Sequence, residues 1–313
     1  MTTKPNITIT NLSSEFNEFL QKVDAGSGSS SWQMWLDLVG KKLPGFYETL
    51  VVRTSNDEDI QQKYKSLFSD ALPMIIKYQS LIQSEFAAFE ETVFSSVSTF
   101  SKLFPDFDEV HLNIYAVPSL NRFNGFCAEY IEKKILAFGI DMIAITKVEP
   151  TIVPKMLFKS NASVFYAHEI FHVYHDNKRS RDQGLERNLL HHVWDEGLAT
   201  YVSGMINPDA DLDDLFGDLI LGKLSQQARL NFLQIIAPDF RKKLSESEGS
   251  KLWRDWFLLS SERSDIPLRA GYAAGYELVR CMSQIYSLDA MVSWSNREVE
   301  DSVNRNWSTF MGM

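Results

Sequence analysis

The sequence predicts an α+β fold that is mostly helical. Apolar residues recur at three- and four-residue steps from about Trp32 to Phe104. After Pro105 the chain becomes rich in β-branched and aromatic residues with loose alternation, and from about Ala162 helical periodicity returns. A helical region, a small antiparallel sheet and a second helical region make an α+β arrangement. We therefore expect a helical N-terminal region, residues 1–104, and a second domain, residues 105–313.

The composition is that of an ordinary globular protein and excludes several classes of function. The chain has 313 residues, of which 44% are hydrophobic and 23% charged, with a formal net charge of −10. A nucleic-acid-binding protein would show a basic stripe, and none is present. No apolar run reaches the ~18 residues of a membrane span. We expect no nucleic-acid partner and no membrane span, and composition gives no oligomeric state.

The ends and the cysteines give an expectation about the compartment. No apolar segment follows Met1 as it does in a signal peptide, which predicts a cytoplasmic protein, with export lacking a cleaved signal left open. Cys127 and Cys281 are the two cysteines. Their spacing does not suggest a stapled scaffold, so two thiols are favoured over a disulfide.

The predicted elements follow one another along the chain. Residues 1–12 read as a loose or edge-strand leader and residues 13–23 as a short helix. A wide apolar face from Pro73 to about Phe94 predicts a core helix. Residues 110–117 and 134–140 are strand candidates, and Asn-Gly at 124–125 is a hairpin-turn signal between them.

Residues 168–172 read His-Glu-Ile-Phe-His, the pattern H-E-x-x-H. Residues four apart lie on nearly the same face of an α-helix, so His168 and His172 can reach one metal ion. Glu169 borders the same cavity, where it can take a proton from an activated water. Apolar neighbours surround the motif nearly all round, which predicts a buried helix whose polar side chains need a partner. Zinc would supply that partner.

A third ligand is expected, because catalytic zinc usually takes three from the protein. Residues 194–201 read Trp-Asp-Glu-Gly-Leu-Ala-Thr-Tyr, and Glu196 is the candidate. The gap after His172 is long enough for a turn and a returning helix. Gly197 and Ala199 are small, so we expect them to let this second helix approach the first one closely.

These two segments resemble the gluzincin metallopeptidases, which pair H-E-x-x-H with a ligand glutamate on a second helix, often as E-G-x-A. The chain resembles more closely the predicted zinc-dependent proteases of bacteria related to gliding-motility lipoproteins. These also carry a Gly-Tyr-x-x-Gly-Tyr helix, which residues 271–276 match. The resemblance covers roughly residues 105–290.

The resemblance implies a zincin-like core within residues 105–313. It implies one Zn²⁺ per chain on His168, His172 and Glu196, with Glu169 as general base. It also implies a peptide or protein substrate laid along an edge strand, here Lys134–Gly139.

For several other residues the sequence allows either a functional or a structural role. Tyr272 or Tyr276 could donate a hydrogen bond to the oxyanion of a tetrahedral intermediate, or both rings could be core aromatics. Arg269 could do the same work, although a surface salt bridge is favoured for it. His191 and His192 could contact substrate or sense pH, and a polar helix surface is favoured.

Three residues near the predicted ligands also have more than one possible role. His175 could be an alternative ligand, although a position beside the site or in solvent is favoured. Asp176 could orient a ligand imidazole or be solvated at the helix end. Asp195 could do likewise or compete with Glu196, which the Glu-Gly-x-Ala context favours.

The sequence therefore predicts a zinc metallopeptidase. The alternative is a zinc-binding regulatory or interaction protein with the same fold and little or no turnover. A fourth protein ligand, such as His175, would support that alternative, because structural zinc sites are closed.

Overall fold

The computed structural model describes residues 6–24, 30–52, 59–149, 151, 159, 161–179, 185–258 and 263–311. The chain divides into two compact units. Unit 1 comprises Met1–Ser98 and Asp108–Val148, and unit 2 comprises Thr99–Phe107 and Glu149–Met313. This division differs from the expected one at residue 104, since the strands that follow Pro105 belong to unit 1.

Unit 1 contains a four-stranded mixed sheet. Its strands are β1 (Asn6–Asn11), β2 (His111–Val117), β3 (Gly125–Tyr130) and β4 (Lys133–Gly139), in the order β1-β2-β4-β3. β1 pairs parallel with β2, β2 pairs parallel with β4, and only β3 runs antiparallel to β4. The prediction of an antiparallel sheet was wrong. The helices between β1 and β2 form a connection long enough for parallel pairing.

The hairpin of this sheet turns at a different place from the predicted one. Ile131 and Glu132 connect β3 to β4 with φ values of 47° and 58°, the left-handed pair typical of a tight type I′ turn. The Asn-Gly pair predicted as the turn instead precedes β3, which begins at Gly125. β4 lies between β2 and β3, so the prediction that Lys134–Gly139 is an edge strand was also wrong.

Helices make up most of unit 1. They are α1 (Ser13–Asp24), α2 (Ser31–Leu38), α3 (Ile60–Lys77), α4 (Gln79–Leu103) and α5 (Ile140–Thr146), with a 3₁₀ turn at Gly40–Lys42 and a π-helical segment at Tyr47–Val52. The last residues of α4, from Thr99, are counted with unit 2. Ile75, Ile82, Phe86 and Phe89 are buried, so most of the predicted apolar stripe is core. Leu81 and Phe94 are exposed, and the stripe spans two helices that meet at Tyr78.

Unit 2 is helical. Its helices are α6 (Ala162–Lys178), α7 (Leu189–Ile206), α8 (Leu212–Phe216), α9 (Leu219–Gly222), α10 (Gln226–Ile236), α11 (Ser247–Phe257), α12 (Ala270–Met282), α13 (Leu288–Ser293) and α14 (Asn296–Met311). The mostly helical α+β class is confirmed. Among the helices described in both units, none combines the length and apolarity needed to cross a bilayer. Cys127 and Cys281 form no disulfide.

A direct backbone contact joins α7 to α12. A Cβ atom at Gly197 would lie 2.3 Å from the carbonyl oxygen of Gly275, and one at Gly275 would lie 2.3 Å from that of Val193. Only glycine fits at either position, because such distances are far inside van der Waals contact. Gly197 was expected to bring α7 close to the first motif helix, α6. It faces α12 instead, although α7 packs against α6 as well.

We expect Gly197→Ala to lower the free energy of unfolding by about 1–3 kcal/mol, because the added methyl group must push two helix backbones apart. Urea denaturation of the full chain measures this. Gly204→Ala on the same helix is the matched control. Its Cβ would meet only the flexible tip of Leu215, at 3.1 Å. An equal loss of stability in both variants would show that the α7–α12 backbone contact does not contribute more to the free energy of unfolding than an ordinary position on α7.

Candidate metal centre

The two histidines of the motif and Glu196 meet at one point in unit 2. His168 and His172 lie one turn apart on α6, which begins with Asn161 accepting a hydrogen bond from the Val164 N–H. His168 Nε2 lies 3.1 Å from His172 Nε2 and 3.1 Å from Glu196 Oε2. His172 Nε2 lies 3.5 Å from the same oxygen. The three side chains form the ligand cluster discussed below.

The spacing of these atoms fits a tetrahedral metal ion. Two ligands bound at the usual Zn–N and Zn–O lengths, with a tetrahedral angle between them, lie about 3.3 Å apart. The observed separations of 3.1, 3.1 and 3.5 Å bracket that value. Two imidazoles and one carboxylate are also a typical donor set of catalytic zinc. Among the described residues, no fourth histidine, cysteine or carboxylate joins this cluster.

The charges of His172 and Glu196 stabilise each other within the cluster. Burial alone would lower the pKa of His172, but the charge and hydrogen bond of Glu196, together with the charges of Glu169 and Asp195, outweigh burial and raise that pKa to about 9. Burial would conversely raise the pKa of Glu196, yet His172 and His168 hold it well below its usual value. A proton on His172 therefore balances the charge of Glu196, and a metal ion entering the site must displace it.

Glu169 lies next to the ligand cluster in the chain and within range of its charges. Burial raises the pKa of the Glu169 carboxyl, and His168 and His172 oppose that rise. A carboxylate whose pKa is raised toward neutrality is suited to take up and release a proton.

The two tyrosines of α12 have different surroundings. The Tyr272 ring lies 6.0 Å from the His168 ring, and after burial the Glu196 charge is the main influence that raises its pKa. Tyr276, one turn further, packs against Tyr201 and Phe216 at centroid distances of 6.0 and 5.6 Å. The structure thus places Tyr272 beside the ligand cluster and Tyr276 among other aromatic rings.

Arg269 precedes α12 and makes no surface salt bridge with any described carboxylate. Its guanidinium carbon lies 4.3 Å from the centre of the Tyr272 ring, and its Nη1 donates to the carbonyl oxygen of Phe216 at 3.1 Å. The favoured expectation of a surface ion pair was therefore wrong. A cation stacked on an aromatic face gains electrostatic stabilisation from the ring.

Neither His175 nor Asp195 is part of the ligand cluster. The His175 ring stacks on Phe171 at 5.4 Å, and its Nδ1 lies 3.7 Å from Asp195. Burial lowers the pKa of His175 to about 4, so it is neutral at ordinary pH. Asp195 Oδ2 accepts hydrogen bonds from Arg187 at 2.5 Å and Arg179 at 3.2 Å. Because adjacent helical residues point about 100° apart, Asp195 serves this ion-pair network while Glu196 faces the histidines.

Asp176, the other carboxylate considered near the ligands, lies 3.6 Å from Arg179 and its side chain is 42% exposed. That exposure places it at the solvated end of α6, which was one of the two alternatives for it.

The favoured interpretation of His192 as part of a polar helix surface was wrong. His192 is mostly buried, and its Nε2 lies 3.8 Å from Glu196 Oε1 and accepts a hydrogen bond from Trp253 at 2.7 Å. Phe257 contacts the His192 ring edge-on, at 4.4 Å between centroids. These rings line the ligand cluster on the α11 side. The signal that could have found His192 is its spacing, one helical turn before Glu196.

His191 is fully buried at the start of α7. Its Nδ1 accepts a hydrogen bond from the Asn188 N–H, and the Asn188 side chain accepts one from the His191 N–H. This reciprocal pair is a capping box. The expectation of a polar helix surface was wrong for His191, and the residue fixes where α7 begins.

Comparisons with protein-family models, with curated proteins and with solved structures find no match to this chain. The likeness to gluzincins therefore remains a prediction from the motif residues.

In metal-free protein we expect the His172 imidazole to titrate near pH 9, and Glu196→Gln to lower that pKa. Because the folded-state pKa lies above the ordinary value of 6.5, the stabilisation is complete below pH 6.5 and is lost as the pH rises through about 9. NMR titration of ¹⁵N-histidine-labelled protein, with urea denaturation across this range, measures both effects.

The control for this titration is Glu300→Gln, since Glu300 lies beside His191 at 3.1 Å and is not part of the ligand cluster. It should leave the His172 titration unchanged. An unaltered His172 pKa in Glu196→Gln would contradict the assignment of Glu196 as its partner.

Proposed function

We propose that this protein is a zinc-dependent metallopeptidase with His168, His172 and Glu196 as ligands. The observation that supports it is the convergence of His168 Nε2, His172 Nε2 and Glu196 Oε2 at separations of 3.1 to 3.5 Å, with Glu169 adjoining. The separations alone would suit a purely structural ion. The adjoining glutamate favours hydrolysis, since a structural site has no need of a general base.

Zinc held there would supply Lewis acidity, which polarises a peptide carbonyl and lowers the pKa of water toward ~7. The Glu169 carboxylate would accept a proton from the attacking water and deliver it to the leaving nitrogen. Its raised pKa supports this role, because a higher pKa makes the carboxylate a stronger base toward the attacking water.

Tyr272 is the better of the two tyrosines for holding the oxyanion. It lies beside His168, and its phenol keeps its proton because burial and Glu196 raise its pKa. A protonated phenol can donate a hydrogen bond where negative charge develops. Tyr276 has no described contact with the ligand cluster, so we assign it a packing role against Tyr201 and Phe216.

The alternative of a regulatory zinc protein finds less support. A structural zinc site would need a fourth protein ligand. Within the described ranges no such ligand joins the three, and His175 turns toward Asp195.

We expect one zinc ion per chain after reconstitution, and a sharp fall in zinc content in Glu196→Ala, because two imidazoles alone bind zinc weakly. Mass spectrometry of the purified full chain, with an elemental zinc determination, measures this. Asp176→Ala is the control, since its exposed carboxylate lies on the same helix as the histidines and outside the cluster. Absence of zinc from the wild type would remove the basis of the proposed function.

We expect Glu169→Gln to keep its zinc and to lose peptide hydrolysis by about a hundredfold or more, because the amide cannot accept the proton. A library of internally quenched fluorescent peptides supplies the substrate, and kcat/KM is compared at equal zinc occupancy. Turnover equal to that of the wild type would exclude Glu169 as general base. A wild type that binds zinc yet cleaves no member of the library would favour the regulatory alternative.

A further inference from the structure

Arg269 occupies a backbone conformation that arginine rarely adopts. It lies directly before α12 with φ 59° and ψ 18°, in the left-handed region, and its side chain does not cap the helix. For a residue with a Cβ this conformation is unfavourable, and glycine would occupy it freely. Strained residues of this kind are concentrated at functional sites. The strain therefore suggests that the side chain of Arg269 has a role that glycine could not perform.

The guanidinium of Arg269 is held in place and has no ion-pair partner among the described residues. Nη1 donates to the Phe216 carbonyl at 3.1 Å, and the planar group lies over the Tyr272 ring. Among the described carboxylates none lies within 4 Å of it, and Arg269 is only partly exposed. Asp218 is close enough to sense its charge, but Asp218 Oδ1 accepts hydrogen bonds from the Ile220 and Leu221 N–H groups. A guanidinium has five N–H donors, and after the bonds to the Phe216 carbonyl and the Tyr272 hydroxyl further N–H groups remain for a ligand.

This guanidinium lies beside the ligand cluster. Tyr272, on which it stacks, is 6.0 Å from His168 between ring centres. Burial raises the pKa values of both Glu169 and Tyr272, and the positive charge of Arg269 opposes that rise at each of them. These separations place the guanidinium at most about 10 Å from the His168 ring, which is the span of about three extended residues.

We propose that Arg269 binds a carboxylate of the substrate, so that the preferred peptide has a carboxylate close to its scissile bond. This inference rests on the proposed function. The planar fork of arginine matches a carboxylate through two parallel hydrogen bonds, which makes it more selective than a simple positive charge. The uncapped start of α12, where the helix dipole is positive, adds to the attraction for an anion. The carboxylate is that of a C-terminal residue or of an acidic side chain.

Four succinyl-hydroxamate probes test this proposal on the zinc-reconstituted full chain. One pair couples the hydroxamate to phenylalanine, as the free acid and as the amide. The other couples it to glutamic acid α-amide and to glutamine α-amide. Isothermal titration calorimetry gives the dissociation constant of each. We expect at least one acidic probe to bind about tenfold more tightly than its neutral partner. The pair that shows the preference identifies the source of the carboxylate.

Arg269→Gln should abolish that preference, so that each acidic probe binds no more tightly than its neutral partner. Arg305→Gln, at an exposed position on α14, is the matched control and should keep the preference. Arg269→Gly separates charge from backbone strain. It should melt at a higher temperature than Arg269→Gln because glycine suits the left-handed conformation, and it should lose the preference equally.

The outcomes are distinguishable. Equal binding of acidic and neutral probes by zinc-loaded wild type overturns the carboxylate site and leaves the proposed function intact. A preference that survives in Arg269→Gln or Arg269→Gly also overturns it. A wild type that holds no zinc and binds no hydroxamate overturns the proposed function and this inference together.

Discussion

The close approach of α7 and α12 is the constraint on which the rest of unit 2 depends. Gly197 and Gly275 allow the two backbones to touch. Each glycine also lies close in the chain to a residue of the candidate site. Glu196 directly precedes the first glycine, and Tyr272 lies three residues before the second. The contact therefore fixes where the ligand carboxylate and the candidate oxyanion donor stand relative to each other. The positions of Glu196 and Tyr272 therefore depend on a contact between two helix backbones and not on side-chain packing alone.

The two adjacent acidic residues of α7, Asp195 and Glu196, interact with different sets of basic side chains. Asp195 is bonded to Arg187 and Arg179, and this network lies on a different side of the helix from the ligand cluster. Glu196 is left for the two histidines of α6. Buried carboxylates are costly unless each is partnered, and this arrangement gives each its own cations. The helical register of α7 therefore directs the Asp195 carboxylate to the arginines and the Glu196 carboxylate to the two histidines.

The sequence predicted the local features of the site and failed where distant segments meet. The helix around His168 and His172, its burial and the return of Glu196 all follow from spacing and apolar patterning, and the structure shows them. The prediction that Gly197 contacts α6 was wrong. A small residue indicates that another helix comes close, but it does not indicate which helix.

Similar limits explain the errors in the sheet. β1 is a short leader whose parallel partner lies a hundred residues away, so periodicity alone could not place it. The hairpin turn at Ile131–Glu132 uses residues that rarely adopt left-handed conformations, whereas Asn124–Gly125 has the usual signal without being the turn. His192 was assigned to a polar helix surface because its contact with Trp253 on α11 joins segments far apart in the chain.

The proton that His172 carries in the ligand cluster has a consequence for experiment. Because Glu196 is already partnered by a protonated imidazole, removing an ion leaves no uncompensated buried carboxylate. If zinc occupies this cluster as proposed, we expect a chelator to remove it without unfolding the chain, unlike the behaviour of small zinc-dependent folds. The emptied cluster could then be loaded with cobalt(II), and the visible absorption of that ion would report the number and symmetry of its ligands.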